Sequence, residues 1–137
     1  MKRIGIAGGP NTGKTTLAGR LGGDVLHTDS VLELGWSECS EHVATEWLTR
    51  EGELVVEGVA LVRALRKWLE ANPEGRPIDR LLVLNEEYGE PLSKGQAAMT
   101  KGHNTVLGKI LPDLRARGVD VSYGSAASFE GMVDVSQ

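Results

Sequence analysis

Hydrophobic and polar positions alternate in blocks whose period switches between two and about three and a half residues. Short apolar runs at residues 2–7 (KRIGIA), 24–29 (DVLHTD), 53–58 (ELVVEG), 79–85 (DRLLVLN) and 119–124 (VDVSYG) predict five strands. Helical spacing falls between them. A first helix runs from Lys14 to about Leu21 and is closed by Gly22-Gly23. Ser40 is placed to cap a second over 41–50, where Val43/Trp47 and Ala44/Leu48 pair at i, i+4 and Gly52 follows as a stop. Residues 59–71 (VALVRALRKWLEA) form an amphipathic helix that ends at the breaker cluster NPEGRP. Over 104–117, Val106, Leu107, Ile110, Leu111 and Leu114 share one stripe, and Pro112 inside it predicts a kink or two short helices. The block 86–103 (EEYGEPLSKGQAAMTKGH) is polar, glycine-rich and weakly periodic, and the tail 125–137 has no clear pattern.

Strands alternating with helices imply right-handed crossovers. The expected fold class is therefore α/β, a three-layer fold with a five-stranded, mostly parallel sheet and helices on both faces, in one domain over 1–137. Ligands in such sheets bind at the carboxyl ends of the strands. Asp29, Glu57, Asn85 and Tyr123 all fall at or near such ends, and the first strand delivers a glycine-rich turn to the same edge.

That turn carries the strongest chemistry in the chain. Gly8, Gly9, Pro10, Asn11, Thr12, Gly13, Lys14 and Thr15 match the pattern G-x-x-x-x-G-K-[ST], with a strand before and a helix after, and Thr16 continues the helix. Glycines let successive backbone N–H groups turn inward around a phosphate, and the helix N-terminus adds its positive dipole end. Lys14 can reach the β- and γ-phosphate oxygens of a nucleotide, and the Thr15 hydroxyl can ligate Mg²⁺. ATP and Mg²⁺ are the cofactors expected of this P-loop. The loop alone does not say which group receives the phosphate.

Composition narrows the setting. The chain is 40% hydrophobic and 25% charged, and no apolar run approaches the roughly 18 residues of a membrane span. Cys39 is the single cysteine, so no internal disulfide forms and a cytoplasmic location is expected. A net charge of −4 leaves no global footprint for nucleic acid, although Lys94, Lys101, Lys109, Arg115 and Arg117 concentrate positive charge in one segment. His27, His42 and His103 show no metal spacing. Oligomeric state leaves no trace in the sequence.

The combination GGPNTGKTT…LHTDS…LVVEGV…R resembles the P-loop kinases of small hydroxyl compounds, nucleosides, nucleotides and polynucleotide 5′ ends. The resemblance implies that Asp29, after the second strand, accepts the proton of the attacking hydroxyl; Asp-Ser before VLEL also suits a helix cap. It implies that Glu57 acts on Mg²⁺ through water, against the alternative of a structural salt bridge. A mobile lid follows the fourth strand in that family; residues 86–103 match it by position, with Lys94 and Lys101 as its cations and no arginine. Arg63, six residues past Glu57, is placed to reach a phosphate or to lie solvated beside Arg66 and Lys67. Tyr123 and Ser125 border the adenine or end the sheet, and Trp36 stacks a base or fills the core. The expected activity is ATP-dependent phosphoryl transfer to a hydroxyl of a nucleoside, a nucleotide or a modified base. The size and compact acceptor segment also resemble viral kinases that phosphorylate 5-hydroxymethyluracil within DNA. A P-loop ATPase coupled to a partner is the alternative from another class.

Overall fold

The first strand, β1 (Arg3–Gly8), lies in the middle of the sheet of the computed structural model, and every other strand is ordered around it. The structure describes residues 3–9, 12–21, 25–85, 91–125 and 127–129, apart from the side chains of Leu21, Asp29, Leu32 and Glu33. Strands β2 (Val25–His27), β3 (Leu54–Glu57), β4 (Arg80–Leu84) and β5 (Asp120–Gly124) join β1 in the order β2-β3-β1-β4-β5. All four pairings are parallel. Five expected strands are thus five observed strands.

Alternation along the strands builds the three layers, because successive side chains leave a strand on opposite faces. Leu54 and Val56 of β3, Ala7 of β1, and Leu81 and Val83 of β4 face one side. There they meet α3 (Leu61–Ala71), α4 (Lys94–Ala116) and the turn Val43–Trp47 that continues α2 (Trp36–His42). Ile6, Leu82 and Leu84 face the other side, where Leu17 and Ala18 of α1 (Lys14–Leu21) pack with Phe129. Gly5 belongs to the first face, and a Cβ there would stand 2.9 Å from Ile78 Cδ1 and 3.0 Å from Leu61 Cδ2. The absent side chain is what lets α3 lie down on β1.

Three elements differ from the sequence expectation. The second helix starts at Trp36 rather than after Ser40. Gly35 at φ 97 turns the chain out of a 3₁₀ segment (Thr28–Leu34), and its carbonyl accepts the first helical bond from Cys39 N at 2.8 Å. Ser40 is therefore inside α2, its hydroxyl donating to the Trp36 carbonyl at 2.9 Å. The helix continues as a π turn over Val43–Trp47, with Leu48 N bonded to Val43 O, and that wider turn puts Val43, Ala44, Trp47 and Leu48 all into the core.

The second difference is the start of α4. Residues 94–103, expected in a polar lid, form its first three turns; residues 86–90 of that segment lie outside the described residues. A capping box begins the helix: Ser93 Oγ accepts from Gln96 N, and Ser93 N donates to Gln96 Oε1. Pro112 does not divide it. Pro112 is exposed and Gly108, whose carbonyl faces its ring, is exposed too, so water can satisfy the lost bond while Val106, Leu107, Ile110 and Leu114 hold both halves to the core. Third, the tail is not without structure: residues 127–129 make a helical turn that buries Phe129.

The edge opposite the carboxyl ends of the strands is tied by Arg3. Its guanidinium donates to the carbonyls of Leu48, Gly52 and Pro77 at 2.9–3.0 Å and also to that of Arg50, while its backbone N–H bonds Asp79. Burial lowers its pKa and Asp79 works against that shift. Replacing it leaves those carbonyls short of a charged donor. Arg3→Ala is expected to cost about 2 kcal/mol in urea unfolding; an unchanged midpoint would show that the turns hold without it.

Candidate functional site

The glycine-rich turn leaves β1 at Gly8 and enters α1 at Lys14, as its strand and helix context demands. Pro10 and Asn11 lie outside the described residues. A Cβ on Gly8 would stand 2.6 Å from Thr12 Oγ1, and one on Gly9 would stand 2.5 Å from Thr100 Oγ1, so neither position admits a side chain without a shift. Gly13 takes φ 85, and its carbonyl starts α1 by accepting from Leu17 N. Thr12 Oγ1 and Lys14 Nζ both donate to the Gly9 carbonyl, at 3.0 and 2.7 Å, and both side chains are buried. Thr15 and Thr16 are exposed in the first turn of α1.

The neighbouring edge is built by β2 and β3. Parallel register sets His27 beside Glu57, and His27 Nδ1 lies 2.6 Å from Glu57 Oε1. Glu57 is buried while His27 is half-exposed, so the imidazole compensates a carboxylate that has lost its water. Glu57 thus takes part in a structural pair, and whether it also serves Mg²⁺ is a matter for function. Gly58 follows at φ 140, where a Cβ would stand 1.7 Å from Thr28 Oγ1. Thr28 is fully buried, and its hydroxyl has no hydrogen-bond partner among the described residues. Asp29 is the second residue of the 3₁₀ segment, directly after this contact; its side chain lies outside the described residues.

Helix α4 lies across this edge. Thr100 touches Gly9, and Gly102 comes within 3.5 Å of Arg63 Nη2, measured from an idealised Cβ. Two cavities flank it. One, of about 370 Å³, is bordered by Gly9, Thr12, Asn85, Tyr123, Thr100, Asn104 and Gly108. The other, of about 340 Å³, is bordered by Trp36, Val59, Arg63, Gly95, Ala98, Met99 and His103. Both fall within the size range of small-molecule sites.

Of the residues expected from sequence, Trp36 and Arg63 come together: the guanidinium lies 5.5 Å from the indole centroid, half-buried against the exposed ring. Arg63 is therefore a cavity wall rather than a solvated helix charge, and Trp36 is not a core residue. Tyr123 borders the first cavity, whereas Ser125 exchanges hydrogen bonds with Ser128. Lys94 and Lys101 are exposed on α4 and line neither cavity. His103, read from the sequence only as lacking metal spacing, borders the second cavity. It is buried beside Lys14 and Arg63, and burial lowers its pKa, with the two cations adding to the effect and a bond to Asn104 opposing it. Its spacing on the stripe with Val106, Leu107 and Ile110 was the available signal.

No protein-family model matches the chain, and no curated protein matches its sequence. Among solved structures, shikimate kinase from Acinetobacter baumannii in complex with shikimate superposes with a TM-score of 0.56 at 16% identity. The match covers 97% of this chain and 90% of that one. The two share one fold, a five-stranded parallel sheet with helices on both faces. Among the described residues, no helix is long and apolar enough to cross a membrane.

The Gly58 geometry carries a test. Gly58→Ala forces a methyl into Thr28 and is expected to lower stability by about 3 kcal/mol in urea unfolding. Thr28→Ala in the same chain should recover part of the loss. A Gly58→Ala protein as stable as the parent would contradict the close packing.

Proposed function

We propose that the protein transfers the γ-phosphate of ATP to a hydroxyl of a nucleoside, a nucleotide or a modified base. One observation carries this reading: the phosphate loop is covered by a helix with a small-molecule cavity on either flank. A hydrolase needs room for water, whereas two cavities suit two organic partners. On this reading the Asn85 and Tyr123 side takes the nucleoside part of ATP, and the Trp36 and Arg63 side takes the acceptor.

The residues present fit Mg·ATP. Bare backbone at Gly8 and Gly9 offers N–H groups at close approach, and Thr15 offers an exposed hydroxyl at the start of α1. One hydroxyl with phosphate oxygens and waters is the usual environment of Mg²⁺ in such sites, and Glu57 can hold one of those waters. Mg·ATP supplies the phosphoryl group and a cation that offsets its charge. Lys14 then holds phosphate oxygens in place of the Gly9 carbonyl. Asp29 orients the acceptor hydroxyl and takes its proton, and Arg63 draws the acceptor to the wall beside it, while Lys94 and Lys101, exposed on α4 outside both cavities, have no part in this arrangement.

A second reading has its own support. An exposed tryptophan faced by an arginine at the mouth of the acceptor cavity suits a base held in a polynucleotide, as in phosphorylation of 5-hydroxymethyluracil within DNA.

The test is γ-labelled ATP with Mg²⁺ and pooled nucleosides, nucleotides, sugars, and DNA with and without hydroxymethylated pyrimidines. Label is expected on one acceptor class, with the rate lowered about 10²–10⁴-fold in Asp29→Asn. Label on hydroxymethylated DNA alone selects the second reading. Label released only as free phosphate, with the variant unaffected, contradicts both and leaves a P-loop ATPase coupled to a partner.

A further inference from the structure

His103 is 4% exposed, and its Nε2 is buried with no hydrogen-bond partner among the described residues. Its Nδ1 lies 3.2 Å from Asn104 Oδ1, an oxygen with no proton to give, so Nδ1 carries the proton. In a neutral ring, Nε2 is then a lone-pair acceptor. Burial, with Lys14 and Arg63 nearby, keeps the ring neutral. An orphaned buried acceptor is costly, and such groups mark places where a partner arrives with a ligand.

The ring borders the acceptor cavity, and the flexible side chains of Met99 and Arg63 are the parts of that wall able to part and admit a ligand. The two cations that face His103 disfavour an imidazolium, so the group suits receiving a hydrogen bond better than keeping a proton. We propose that His103 Nε2 accepts a hydrogen bond from a second O–H of the acceptor, not the one that is phosphorylated, and so selects a substrate that presents an O–H donor to this wall. The inference rests on the kinase reading above and adds a residue to it: His103 holds one hydroxyl of the substrate, and Asp29 takes the proton of the reacting one.

Two measurements test it. The first is the long-range ¹H–¹⁵N spectrum of the labelled wild-type protein at pH 7, with His103 assigned by elimination against His27→Gln and His42→Gln. A neutral ring protonated on Nδ1 is expected; a proton on Nε2 or an imidazolium overturns the proposal.

The second is steady-state label transfer from γ-labelled ATP to the same panel of nucleosides, nucleotides, sugars and DNA. His103→Phe, which keeps a flat ring without Nε2, is expected to lose about tenfold in kcat/KM for the acceptor with KM for ATP unchanged. His103→Gln, whose side-chain carbonyl can reach the Nε2 position, should recover most of it. Transfer by His103→Phe at the wild-type rate overturns the proposal, as does a loss that appears in KM for ATP. Should neither variant fold, by thermal melting, the wild-type spectrum decides alone. Wild-type protein that labels no acceptor refutes the kinase reading itself, and this inference with it, which separates the two failures.

Discussion

The approach of α4 to the phosphate loop sets most of what happens at this edge of the sheet. Gly9 and Thr100 are so close that a single added methyl would stand 2.5 Å from the threonine hydroxyl. A loop built for phosphates is normally open to water. Here a helix lies on it, which buries Lys14, removes water from His103 and leaves a cavity on each flank. Packed interiors do not deform continuously, so a change at the loop is felt along the helix. The same helix is tied at its far end, where Arg117 bonds the carbonyls of Leu69, Asn72 and Gly75 and lies over Trp68. It is anchored at the C-terminus and carries two of its three glycines, Gly95 and Gly102, at the end that meets the site.

A second close approach fixes the acceptor side. Gly58 sits over Thr28 with no room for a side chain, and His27 covers the buried Glu57 one step earlier in both strands. These contacts couple the end of β2 to the end of β3. They therefore fix where the backbone of Asp29 emerges relative to the phosphate loop, since β3 is itself paired to β1. A buried carboxylate held by a half-exposed imidazole is economical: the pair satisfies the charge while leaving the sheet edge open to ligands.

Much of the architecture was legible because its signals are local. The loop motif, the period-two strands and the apolar stripe of α3 each report a physical requirement within a few residues. The first turns of α4 were not legible by period. Gly95, Thr100 and Gly102 are poor helix formers without an apolar stripe, and Thr100 and Gly102 are held by their fit against Gly9 and Arg63, contacts distant in sequence. The serine and glutamine at 93 and 96 were the one local clue. The start of α2 was hidden for a similar reason, since it depends on the positive φ of Gly35 rather than on a side-chain cap. Pairing of His27 with Glu57 needed the strand order, and burial of Phe129 needed the α1 face to exist first. Arg63 and Trp36 were named singly, but their contact is tertiary.

Phosphoryl transfer at this edge requires that the covered loop take a nucleotide. Calorimetric titration of the intact protein with Mg·ATP, beside Lys14→Ala, measures this most directly. One Mg²⁺-dependent site per chain is expected, weakened about tenfold to a hundredfold in the variant by loss of a charge-assisted contact. No heat of binding in the wild-type protein, or equal affinity in both, would mean that helix α4 has closed the loop to nucleotides and that the site serves another chemistry.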